Sequence, residues 1–119
     1  MKKKVITEIQ TKNLEIMSEK MPEKSLMIVN AVLNPAEKEA FAYYSEHSSL
    51  LFKNAGVKPI GKYKVAQSIV GNKKLHVVVV MEFPSNQAII DVFESEAYKK
   101  LLPFRDKAFT ELEVFIGNQ

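Results

Sequence analysis

Apolar and polar positions along this chain fall into blocks, and each block predicts an element. Leu26 to Leu33 (LMIVNAVL) is a short run of branched apolar residues that reads as a strand covered on both faces. Asn34, Pro35 and Glu37 then predict a helix start: an Asn oxygen can cap, Pro suits the first helical position, and Glu can reach back. The helix runs to about Ala55 with an apolar stripe of Phe41, Tyr44, Ser48, Leu51, Phe52 and Ala55, and Gly56 supplies a left-handed cap. Val57 to Val70 alternates only loosely and carries Pro59 and Gly61, as an edge strand does. After a turn at Gly71 and Asn72, Lys74 to Phe83 (KLHVVVVMEF) is the most strand-like run. Both of its faces are mainly apolar, so both require cover.

Ser85 predicts the cap of a second helix with Ala88, Ile89, Val92 and Phe93 turned inward. Ser95 predicts a further cap, opening a piece with Tyr98, Leu101 and Leu102 on one side, which Pro103 bends or ends. Phe109 to Gly117 closes the chain as an alternating strand, Leu112, Val114 and Ile116 on one side and Phe109, Glu111, Glu113 and Phe115 on the other. The order strand, helix, strand, strand, helix, strand is that of an α+β, ferredoxin-like βαββαβ fold: a four-stranded antiparallel sheet with both helices on one face. Residues such as Val78, Val80, Phe109 and Phe115 make the opposite face too apolar for water. A two-fold partner packing sheet on sheet, a homodimeric α/β barrel, is the simplest cover. The alternative cover is the segment Met1 to Ser25, whose apolar residues follow neither strand nor helix period and which reads as an appended arm before a domain at residues 26–119.

Composition narrows the function classes. The 119 residues have room for one domain and one modest core. The net charge of +3 is matched by Lys2, Lys3 and Lys4 alone, and Arg105 is the single arginine, so there is no basic patch to suggest a nucleic-acid partner. No window has the roughly 18 apolar residues of a membrane span, and the interrupted pattern from Val5 to Lys20 does not resemble a secretion signal. The lack of cysteine removes disulfides and thiolate chemistry and suits a reducing compartment, so a cytoplasmic location is expected. Neither histidine has neighbours at metal-ligand spacing, and no phosphate loop, nucleophile elbow or paired-carboxylate motif occurs. No cofactor or metal is expected, and no catalytic residue can be assigned.

Five residues are candidate contacts for a small molecule. Arg105, beside a helix break, could clamp a carboxylate with its planar fork, or pair with Glu82, Glu94 or Asp106. Ser95 is a helix cap or a ligand contact. Tyr44 and Tyr98 present apolar rings with polar tips suited to a pocket rim. His47, at helical spacing from Tyr43 and Tyr44, could serve as a base or simply mark the stripe's boundary.

From VLNPAEKEAFAYY through EFPS (Glu82 to Ser85), ESEAY (Glu94 to Tyr98) and LLPFRD around Arg105, the chain resembles the domain of unknown function 1330 family of dimeric α/β-barrel proteins. The resemblance reaches from about Leu26 onward. It departs where the family shows Trp-Tyr and this chain has Val92 and Phe93, where Asn34 replaces an Asp, and where Ala55 and Gly56 replace a Gly-Gly pair. It implies the barrel fold but no reaction. Related barrels include cofactor-free monooxygenases, isomerases and small-ligand sensors, so three functions are expected in turn: binding a partly apolar molecule between sheet and helices, a cofactor-free enzyme, or a scaffold with a filled interior.

Overall fold

The computed structural model describes residues 24–119. The arm expected at the start of the chain lies, up to residue 23, outside the described residues. Four strands, β1 (Ser25–Leu33), β2 (Lys58–Lys64), β3 (Val77–Phe83) and β4 (Phe109–Asn118), form one sheet in the order β2-β3-β1-β4, with every neighbouring pair antiparallel. Helix α1 (Lys38–Asn54) connects β1 to β2, and three short helices, α2 (Asn86–Glu94), α3 (Glu96–Lys99) and α4 (Leu102–Ala108), connect β3 to β4. This is the ferredoxin-like fold expected of the sequence, with the second helix broken into three.

The core lies between the helices and one sheet face. Met27 and Phe83 from the sheet meet Tyr44 and Phe52 of α1, Ile89 and Val92 of α2, and Tyr98 and Leu101. The breaks have local causes. Ser85 accepts from the Ala88 N–H at 3.0 Å and starts α2, and Ser95 accepts from the Tyr98 N–H at 3.1 Å and starts α3. Pro103 does not end a helical piece but sits in the first turn of α4, where its missing N–H has no partner to lose. α1 also begins later than its sequence suggests. Asn34 accepts from the Ala36 N–H at 3.1 Å, which closes a turn, and the helix follows from Lys38 with no side-chain cap. Its other end is as expected: Gly56 has φ +88°, and Gly56 and Val57 donate to the Lys53 and Phe52 carbonyls.

Two irregularities change which residues share a face. The β1–β4 register shifts between Val32 and Leu33, so that Phe109 pairs with Leu33 and Glu111 with Val32. The extra residue reverses the parity, and Phe109 faces the helices, not the open side where simple alternation puts it. Its ring packs edge-on against Phe41 and Tyr44. A second shift, between Pro59 and Gly61, leaves Ile60 unpaired in edge strand β2. The β2–β3 connection is long, and within it Lys73 ion-pairs with Glu113 on β4.

The open sheet face carries Leu26, Ile28 and Val32 of β1, Val78 and Val80 of β3, Tyr63 of β2 and Phe115 of β4. Asn30, Glu82, Glu111 and Glu113 interrupt it. Phe115 is 48% exposed and Tyr63 54%. All described helices pack on the other side.

Candidate functional site

The cleft follows from where α1 places its small residues. Phe41, Tyr44, Ser45, Ser48, Ser49 and Phe52 recur at three- and four-residue spacing and so share one helical face. Large side chains at both ends hold the helix off the sheet, while the serines between them and Ala31 opposite leave the intervening space unfilled. The result is a hollow of about 280 Å³ between α1 and the sheet. Val29, Val77, Val79, Met81, Leu112 and Val114 form its floor, with Phe93 and Phe109 on the side of the short helices. Its polar groups are Tyr44, the three serines and Lys62 from edge strand β2. Ser48 is buried and donates to the Ser45 carbonyl at 3.4 Å; Ser49 donates to the same carbonyl at 2.6 Å.

Behind the cleft wall stands a polar chain. The Tyr44 and Tyr98 hydroxyls lie 2.8 Å apart in the core, and Arg105 Nη1 donates to the Tyr98 hydroxyl at 3.3 Å. The Arg105 guanidinium also sits 5.8 Å from the Tyr98 ring centre and 3.6 Å from Asp106 Oδ1. Burial, together with the hydrogen bond to Tyr98, drives the Tyr44 phenol well above its ordinary range. For Arg105, burial pulls the pKa down, but the Tyr98 hydroxyl and the nearby Asp106 carboxylate outweigh it, and the group stays charged.

Of the five residues picked from sequence, the fold brings together Tyr44, Tyr98 and Arg105. Ser95 stands one step behind, capping α3 and donating to the Val92 carbonyl at 2.6 Å, which fixes the backbone of Tyr98. His47 lies apart from them. Its ring stacks on Tyr43 at 3.9 Å, its Nδ1 is 2.8 Å from the Tyr43 carbonyl, and Tyr43 stacks in turn on Phe104 at 4.1 Å, outside the cleft. Arg105 reaches neither Glu82 nor Glu94; Asp106 is its acidic partner. It lines a second, more open hollow of about 500 Å³ beside β4, which shares Phe93, Phe109, Leu112 and Val114 with the first.

Sequence reasoning missed Ser45, Ser49 and Lys62, and took Ser48 only as part of the stripe. A signal was present: three serines within five residues on a helix that otherwise buries aromatics is a gap in the packing pattern. Lys62 carried none, because the shift at Ile60 decides which way it points. Among the described residues no group of three His, Asp or Glu side chains converges as a metal site would require. No described helix is long and apolar enough to cross a membrane.

Residues 24–117 match the family model of a domain of unknown function, DUF1330. The chain belongs to the DUF1330 family. Its fold recurs in solved structures of low sequence identity. A protein of unknown function from Rhodopseudomonas palustris superposes with a TM-score of 0.71 at 18% identity, over 83% of this chain and 84% of that one. A candidate antibiotic biosynthesis monooxygenase from Nitrosomonas europaea gives 0.59 at 13% identity, covering 83% and 92%. An ethyl tert-butyl ether d (ethd) family protein from Bacillus halodurans gives 0.55 at 17% identity, covering 81% and 98%. No curated protein matches the sequence. Phe93 packs edge-on against Tyr98 at 4.6 Å and lines the cleft.

Proposed function

We propose that this DUF1330 protein binds a small, largely apolar molecule in the cleft between α1 and the sheet. The observation that carries this is the hollow itself, because interiors normally close to near-crystalline density and here a row of serines keeps one open. A scaffold with a filled interior has no use for such a space. A compact apolar body suits the floor, and Tyr44, Ser48 and Lys62 offer orientation. Ser95, Tyr98 and Arg105 support the wall from behind, and His47, on the far surface, takes no part. The lack of cysteine fits action in the cytoplasm.

Native mass spectrometry of the freshly purified chain, beside its denatured mass, tests the reading. Extra mass released on denaturation supports it; so does loss of that mass in Val79→Phe, which fills the floor. A bare wild-type protein to which no apolar probe binds would sink it.

The names of the fold's neighbours favour a second reading, a cofactor-free monooxygenase- or isomerase-like enzyme working in the same cleft. Tyr44, which stays protonated, would act there as a hydrogen-bond donor to the substrate, and His47 lies outside the cleft, so turnover that survives His47→Ala and falls in Tyr44→Phe is the expected pattern.

The open sheet face supports a homodimer. Leu26, Ile28, Val32, Val78, Val80 and Phe115 form an apolar band of the kind that marks an interface. Light scattering should give twice the chain mass for the wild type and the single mass for Phe115→Glu. A monomeric wild type would count against it.

A further inference from the structure

Tyr98 sets a direction on the hydrogen bonds behind the cleft. It is 1% exposed, so each polar atom of its hydroxyl needs a partner within the protein. Its oxygen accepts from Arg105, which has no acceptor atom to offer in return. Its single hydrogen can therefore go only to Tyr44, 2.8 Å away. The opposite direction, Tyr44 donating to Tyr98, would leave the Tyr98 hydrogen buried without an acceptor. Tyr44 thus receives from behind, and its own hydrogen remains to be given. Tyr44 lines the cleft beside Ser48, whose hydrogen turns toward the Ser45 carbonyl at 3.4 Å and whose oxygen is the protein acceptor that a ligand carbonyl has to replace.

We propose that Arg105, Tyr98 and Tyr44 form a directed chain of hydrogen bonds that presents the Tyr44 hydroxyl hydrogen to the cleft, and that the ligand answers it with a carbonyl oxygen on an apolar body. The proposal rests on the ligand-binding reading above and narrows it to a chemical class. A guanidinium at the head of the chain polarises each bond that follows, so the last donor is stronger than an isolated phenol. The raised pKa of Tyr44 keeps it protonated and able to donate across the physiological range. Arg105 and Tyr98 are positioning residues in this scheme, since they act through Tyr44.

Acetophenone and α-methylstyrene test the proposal, because they share a shape and differ only in C=O against C=CH₂. Both are titrated into the full-length ¹⁵N-labelled chain and into Tyr44→Phe and Arg105→Met. Loss of one net hydrogen bond predicts that Tyr44→Phe weakens acetophenone roughly threefold to tenfold while α-methylstyrene stays within about twofold. Arg105→Met should shift the acetophenone-to-styrene affinity ratio in the same direction by less, although Arg105 does not line the α1 cleft. A merely structural role for Arg105 would change both affinities together. If both probes bind and the ratio is the same in all three proteins, the directed chain falls and the cleft stands. If neither probe moves a cleft amide, the ligand-binding reading fails and takes the proposal with it. Should Tyr44→Phe not fold, the carbonyl ¹³C shift of bound acetophenone in the wild type decides. A position downfield of that in hexane supports the donor, and a hexane-like position overturns it.

Discussion

Replacing Tyr98 by Phe isolates the central joint of the structure. The ring stays, and with it the edge contacts to Phe93 at 4.6 Å and Tyr44 at 6.1 Å, so no cavity forms. Two hydrogen bonds go. The Tyr44 bond, 2.8 Å and buried, contributes about 1 kcal/mol net. The Arg105 bond is long at 3.3 Å, and the arginine side chain is 31% exposed, so water takes over most of it and roughly 0.3 kcal/mol is lost. The sum is about 1 to 1.5 kcal/mol, which for a domain of this size lowers Tm by roughly 4–12 °C. The decisive assay is a cycle of urea unfolding curves for the wild type, Tyr44→Phe, Tyr98→Phe and the double variant. If the two hydroxyls act as one unit, the double variant loses about 1 kcal/mol less than the two single losses added together. Losses that add to within about 0.3 kcal/mol would refute a bond between them.

Three further outcomes follow from the same geometry. Ser95→Ala removes the cap of α3 and should cost about 1 kcal/mol in urea unfolding, with faster amide exchange at Tyr98 as its local sign. Gly56→Ala meets a positive φ and puts its Cβ 2.9 Å from Pro84 Cγ, so a loss of about 1–2 kcal/mol is expected; a neutral result would count against the left-handed cap. Because burial raises the Tyr44 pKa in the folded chain, its stabilising effect is complete below the unfolded value and fades as pH climbs. Above about pH 10 it should remove up to roughly 1.4 kcal/mol per pH unit, a slope that Tyr44→Phe reduces in alkaline unfolding.

Much of the fold is visible in local chemistry. Ser85, Ser95 and Gly56 act on their nearest backbone neighbours, so the sequence around them suffices to place those helix ends. The Tyr44, Ser48 and Phe52 stripe is legible for the same reason. Phe109 was misplaced because its face depends on a register shift that β1 and β4 settle between them, across 76 residues of sequence separation at the Leu33 pair. The site shows the same division. Tyr44, Tyr98 and Arg105 are recognisable as polar tips on apolar elements, but His47 lies apart from them, stacked on Tyr43, which stacks in turn on Phe104. That the cleft is open at all depends on what α1 lacks opposite Ala31, which only the packed structure reveals.

The two outer strands of the sheet are unequal. β2 carries Pro59, the unpaired Ile60 and Lys58, Lys62 and Lys64, a combination of missing donor, kink and charge that blocks the approach of another strand. β4 runs ten residues without proline and, among the described residues, has no neighbour on its outer side. Growth of this sheet by recruitment of a foreign strand is therefore polar: it can proceed from β4 and stops at β2. Any fibril or edge-to-edge aggregate seeded by the native fold would start at β4, and a single lysine or proline on its outer edge is where protection against it belongs.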